Sequence, residues 1–99
     1  MPFLIERQTR ATANVVGLHD RGVIAPGYRA DINVIDAERL ASRAPSIHAD
    51  LPAGGRRFLQ AADGYLHTFV KGIETYADGI ATGSQPGKLI RGQQPHSEL

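Results

Sequence analysis

The stretch "LHTFVKGIETYADGIATG", Leu66 to Gly83, constrains the fold more than any other part of the chain. Thr68–Val70 and Ile73–Tyr76 are rich in β-branched and aromatic residues, Lys71-Gly72 lies between them, and Asp78-Gly79 follows. A two-residue connection ending in glycine is the shortest link that antiparallel strands accept, because its backbone twist matches theirs. The spacing predicts a hairpin followed by a short third strand. Lys71 departs from the preferred Asn or Asp, and holding it at positive φ costs about 1 kcal/mol or a little more.

A second definite unit is "DRGVIAPGYRADINVID", Asp20 to Asp36. Val23 and Ile24 lead into Ala25-Pro26-Gly27-Tyr28, where proline presets φ for the second position of a type II turn and glycine supplies the positive φ of the third. In "RADINVID", Ala30, Ile32 and Val34 share one face and Asp31 and Asn33 the other, until Ile35 breaks the alternation. The expectation is strand, turn, strand.

Around these units the signals are weaker. Leu4, Ile5, Ala11, Val15 and Val16 recur at helical spacing, and Gly17 suits the left-handed end of a helix, so one amphipathic helix is expected before it. Its threonines and Asn14 lower the intrinsic propensity, which leaves packing to supply its stability. Asp36 is placed to cap a short helix through "AERLASR", which Pro45 stops. Residues 45–65, "PSIHADLPAGGRRFLQAADGY", are interrupted by Pro52, Gly54, Gly55 and Gly64 and read as a surface loop with one turn of helix at most. The tail "SQPGKLIRGQQPHSEL" reads as extended, frayed at its end.

Length and composition exclude several classes of function. Ninety-nine residues make at most one domain, far short of a (β/α)8 barrel of about 250 residues. A formal charge of +1 creates no field for nucleic acid or an anionic membrane. Without cysteine there is no disulfide framework, thiolate nucleophile or zinc-thiolate site, and the cytoplasm is the expected compartment.

Each candidate for chemistry has a plainer structural reading. His19, His48, His67 and His96 never fall within five residues of one another, so no ligand-spaced pair exists. Ser42, Ser46, Ser84 and Ser97 are expected in helix or loop, none in a G-x-S-x-G elbow. "TGSQPGKLI" puts Gly83 one residue too close to Gly87-Lys88 for a phosphate loop, and Leu89 stands where the magnesium-binding hydroxyl belongs. Arg56 and Arg57 suit a carboxylate clamp or a solvated basic pair. Of the carboxylates offered as acid and base, Asp31 with Asp36 and Asp63 with Asp78, most already have a place as strand, cap or turn residues. No catalytic, cofactor-binding or metal-ligating residue is assigned.

"GLHDRGVIAPGYRADINVID", "DLPAGGRRFLQAADGY" and "FVKGIETYADGIATGSQPGKLIRG" together resemble the C-terminal segment of the metal-dependent amidohydrolase superfamily, in the branch of D-aminoacylase and other N-acyl-D-amino-acid deacylases. The G-x-I-x-P-G-x-x-A-D unit, Gly22 to Asp31, is shared across the superfamily; the "LPAGGRR" and "TG…PG…RG" blocks point to the branch. The resemblance implies a mainly β fold with one or two short helices, the C-terminal part of a small composite β-sandwich flanking a (β/α)8 barrel. Residues 1–16 would correspond to the last barrel helix, 17–92 to the sandwich segment and 93–99 to a flexible tail. The metal ligands and catalytic aspartate of such enzymes lie upstream, and no position here matches them. The implied function is that of a non-catalytic structural domain or fragment of a hydrolase that cleaves an amide C–N bond with metal-activated water, zinc being the parent's expected metal and no cofactor being held here. The alternative is a self-contained β-rich interaction module without activity. The expected partners are the missing barrel and, for the chain alone, a second copy: strands around Ile32–Ile35 and Phe69–Tyr76 would show unpaired edges, with a symmetric dimer exchanging the N-terminal helix as one solution.

Overall fold

A computed structural model describes residues 1–96; Ser97 and the last residues of the tail lie outside the described residues. In chain order the elements are α1 (Pro2–Gln8), α2 (Arg10–Val15), β1 (Ile32–Ile35), β2 (Ala41–Ser42), β3 (Ser46–His48), a 3-10 turn (Pro52–Gly54), β4 (Arg57–Leu59), β5 (Ala62–Asp63), β6 (Tyr65–Val70), β7 (Ile73–Ala77) and β8 (Ile80–Ala81). The protein is mainly β.

The N-terminal segment forms two short helices where the apolar spacing predicts one. Pro2 starts α1, where its missing N–H costs nothing. At Thr9 the backbone turns to φ −123° and ψ −82°, and the Thr9 hydroxyl donates to the Ile5 carbonyl at 2.7 Å. A hydroxyl that captures a helical carbonyl competes with the backbone ladder, which accounts for the break. The end of α2 follows the sequence expectation. Gly17 sits at φ +80°, its N–H reaches the Asn14 carbonyl at 3.2 Å, and the Leu18 N–H reaches the Ala13 carbonyl at 2.9 Å. This is the Schellman pattern, satisfying two carbonyls the helix would otherwise orphan.

One antiparallel sheet has the order β1-β6-β7-β8. Lys71 and Gly72 take φ of 52° and 76°, and Asp78 and Gly79 take 50° and 80°, so both turns have the doubly positive φ expected of them. Along β1 the partners are Ile32↔Phe69, Asn33↔Thr68 and Val34↔His67, and the register shifts before Ile35↔Tyr65. The extra residue of this bulge is Leu66 on β6, opposite the Val34–Ile35 step of β1. Phe69–Tyr76 is not the open edge expected of it, since β6 lies between β1 and β7, and β7 between β6 and β8. The open edges of this sheet are those of β1 and the two-residue β8.

Three local expectations need correction. Val23 and Ile24 form no strand; the Ala25–Tyr28 turn is present, with a 3.1 Å bond from the Tyr28 N–H to the Ala25 carbonyl, but Ile24 is 83% exposed and nothing pairs with it. Asp36 caps a single turn instead of a helix, accepting the Glu38 N–H at 3.2 Å. The chain then enters β2, because Gly64 packs its backbone against Leu40, so close that a Cβ there would lie 2.7 Å from the Leu40 Cα. Residues 45–65 are no loop. β2 pairs with β5 and β3 with β4, and the Arg43 N–H bond to the Ala61 carbonyl at 2.9 Å links the two ladders into one antiparallel ribbon tipped by Pro52–Gly54. Ser42 and Ser46 accordingly lie on strands.

Little of this is packed. Ala13 is the one buried apolar side chain among the described residues, at 8% exposure. The accessible surface is 7884 Å², against about 5,500 Å² for a folded monomer of this mass. The radius of gyration is 15.8 Å, against about 13 Å for a compact domain of this length.

Candidate functional site

The densest polar cluster gathers around the Gly22–Asp31 unit, and its work is to hold the chain. Arg21 Nε donates to Asp20 Oδ1 at 2.8 Å, and Arg29 Nε to both carboxylate oxygens of Asp31 at 2.9 Å. Asp31 Oδ1 also accepts the Lys71 N–H at 2.9 Å, while the Gly72 N–H reaches the Ala30 carbonyl at the same distance. The Arg21 hydrogen bond holds the Asp20 carboxyl below its usual range, against a smaller opposing effect of burial, and the Arg21 pKa is raised in turn. An aspartate committed to a guanidinium and a turn N–H is an acceptor already in use, not a free base.

The structure brings two of the four histidines together and leaves His48 and His67 on separate strands. His19 stacks on His96 with centroids 5.2 Å apart, and Tyr28 meets His96 edge-on at 6.4 Å. The Gln94 backbone bonds to Gly17 and His19 hold the chain beside that pair, at 2.9 and 2.8 Å. His67 Nδ1 contacts Glu74 Oε1 at 2.5 Å across the sheet. Ser46 Oγ and His48 Nε2 lie 2.8 Å apart, a contact that sequence spacing does show as i and i+2 on one strand face. Both side chains stand exposed on the ribbon, and among the described residues no further hydrogen bond holds the His48 ring.

The remaining candidates are structural. Arg57 clamps Asp50 through two bonds of 2.8 and 2.7 Å and Arg43 holds Asp63; each arginine keeps its carboxyl below the usual range. Of the carboxylates Asp31, Asp36, Asp63 and Asp78, Asp31 faces Arg29 and Asp63 faces Arg43. Gly83 to Gly87 carries no helix for a phosphate to cap. Among the described residues no three His, Asp or Glu side chains converge.

What the surface offers is apolar area. Phe3, Leu4, Ile5, Val15 and Val16 are 52–85% exposed on the two helices. Below them, Thr9, Thr12, Ala13, Val16 and Leu18 line an open cleft of 410 Å³ that ends at Arg21 and Asp31. Contiguous exposed apolar surface of this kind is characteristic of interaction sites in proteins generally.

The model of the amidohydrolase family matches residues 2–79. The chain belongs to the amidohydrolase family. The match takes in both helices, the Gly22–Asp31 unit, the ribbon and the β6–β7 hairpin, so in this family member the whole described fold except β8 and the extended tail falls within it. No curated protein and no solved structure matches the chain. No helix of the described residues is long and apolar enough to cross a membrane.

Proposed function

We propose that this chain is the non-catalytic C-terminal share of a metal-dependent amidohydrolase of the N-acyl-D-amino-acid deacylase kind. On this reading its sheet is part of a composite sandwich, and α1 and α2 pack against a catalytic barrel. The observation that carries the reading is that Ala13 is the one buried apolar side chain among the described residues of a family member that turns Phe3, Leu4, Ile5, Val15 and Val16 to water. At about 25 cal/mol per Å², covering a few hundred Å² of such surface contributes several kcal/mol, which is comparable to the whole stability of a small domain.

The parent's metal finds no fit here. No ligand cluster exists among the described residues, and Asp31, Asp63 and Asp50 are each held by an arginine. Its contribution is rigidity: the Asp31 contact fixes the β1 start to the β6–β7 turn, and the helices present the apolar face.

The test is complementation. An N-acyl-D-amino-acid deacylase truncated after its last barrel strand is mixed with the purified chain, and hydrolysis of an N-acetyl-D-amino acid is followed with zinc present. Activity restored by the chain and abolished by Val15→Lys is expected. Stoichiometric zinc on the chain alone, with hydrolysis by the chain alone, overturns the proposal.

A further inference from the structure

The C-terminal tail returns to the end of α2 and is fastened there at three points. Gln94 donates its N–H to the Gly17 carbonyl at 2.9 Å and accepts the His19 N–H at 2.8 Å, a parallel bridge around Leu18. The Gln93 side chain lies so close over Gly17 that a Cβ there would sit 2.6 Å from the Gln93 Cγ. The third point can change its charge. It is the His96 ring, stacked on His19 with centroids 5.2 Å apart and planes 14° from parallel.

The groups around this pair leave a new positive charge without a free counter-ion. From α2 come Asn14, whose Oδ1 is 3.4 Å from His19 Nδ1, and Arg10, whose guanidinium lies 5.3 Å from the centre of the Tyr28 ring. Tyr28 in turn stands edge-on to His96. Next along the chain from His19, the Asp20 carboxylate is taken by Arg21 through bonds of 2.8 and 3.2 Å, and the charge of Arg29 also acts on it. Arg29 itself holds Asp31. Three guanidiniums therefore already meet two carboxylates.

We propose that His19 and His96 make the tail a pH-sensitive strap, closed on the end of α2 while both imidazoles are neutral and released when both take up protons. Neutral rings stack as aromatic faces, whereas two imidazolium cations repel. At 5.2 Å, with an effective dielectric between about 20 and 80, that repulsion disfavours the closed form by about 4-fold to about 200-fold. His96 is exposed, which places the effect toward the lower end, at about tenfold. The closed strap binds protons less readily than the released one, so it is shut at the alkaline end of the imidazole range, about pH 8, and opens toward the acid end, about pH 5. Release uncovers Gly17–His19 beside the exposed Val15 and Val16 and so alters the helix face offered to a partner. The strap itself does not depend on that partner being a barrel.

The experiment is amide hydrogen exchange of the 99-residue chain followed by NMR at about pH 7.5 and about pH 5, each rate divided by that of an unstructured peptide at the same pH. Protection of the His19 and Gln94 N–H groups is expected to fall about tenfold at the lower pH. The Asp78 N–H, bonded to the Leu66 carbonyl at 2.7 Å within the sheet, should keep its protection and reports in every sample that the sheet is folded. His96→Phe keeps an aromatic face and takes no proton, so its strap should stay closed in acid. Salt at about 1 M, where charges are screened within about 3 Å, should restore most of the wild-type protection. Equal protection at the two pH values, an acid loss as large in His96→Phe as in the wild type, a loss that salt leaves unchanged, or a parallel loss at Asp78 overturns the proposal.

Discussion

The Asp31 carboxylate accepts the Lys71 N–H at 2.9 Å, joining residues forty positions apart at the point where β1 begins and the β6–β7 hairpin turns. The Asp of the Gly22–Asp31 unit therefore has a mechanical duty: it caps the one turn in the sheet whose first residue is a lysine held at φ 52°. Asp31→Ala removes both that cap and the Arg29 pair. Urea denaturation should show a loss of about 1–2 kcal/mol, with Asp31→Asn losing less because an amide oxygen still accepts. Equal losses for the two variants would mean that the Arg29 charge, not the turn, matters.

Lys71 itself offers a gain. Asn occupies positive φ at lower cost than Lys, and the contact to Asp31 uses only the backbone N–H. Lys71→Asn should therefore stabilise the fold by about 0.5–1 kcal/mol, raising the thermal midpoint by about 2–8 °C. A lowered midpoint would show that the lysine side chain contributes something the geometry does not reveal.

Gly64 and Gly83 separate backbone strain from crowding. They share nearly the same φ, 95° and 93°, but a Cβ on Gly64 meets the Leu40 Cα at 2.7 Å while one on Gly83 meets nothing within 4 Å. Gly83→Ala should cost about 1–2 kcal/mol, the price of the conformation alone. Gly64→Ala should cost about 1–3 kcal/mol more and open the ribbon where β2 meets β5. Comparing urea midpoints and amide exchange at Ala41–Ser42 checks both parts.

Acid should weaken the fold. The carboxyls of Asp20, Asp50 and Asp63 are all held below their usual range by hydrogen bonds from Arg21, Arg57 and Arg43. A carboxyl whose folded pKa lies below its unfolded one adds stability in full above the unfolded value of about 3.9, and loses it as pH falls through the folded value. The urea midpoint should be flat above about pH 5 and fall below about pH 4. Asp20→Asn, the least exposed of the three, should make that fall shallower; an unchanged slope would assign the acid sensitivity elsewhere.

How much was readable in the chain depends on how local each cause is. The Lys71-Gly72 and Asp78-Gly79 turns and the Gly17 helix end follow from φ restrictions within a few residues, and each stands where the sequence places it. The helix expected after Asp36 and the loop expected over 45–65 give way to paired strands because that alternative is long-range. Residues 41–48 pair with 57–63 only once Gly64 brings Leu40 alongside, and nothing in either segment's periodicity announces a ladder of low-regularity strands such as Ala41–Ser42. The Thr9 break is not legible in the sequence, because a hydroxyl's choice between solvent and the Ile5 carbonyl leaves no trace in apolar spacing.

For the site, the sequence by itself determined the chemistry available: no cysteine, histidines too dispersed for a local ligand pair, and glycine motifs without the hydroxyl a nucleotide needs. Composition and spacing set these limits in any fold that relies on neighbouring residues. Only the tertiary structure decided where the polar groups are used and what is left uncovered. Asp31 meets Lys71 because β1 lies beside β6, and Phe58 stands in water because no layer folds over the ribbon. Both are relations between distant segments, set by the loss of chain entropy against contacts that no short stretch of residues contains.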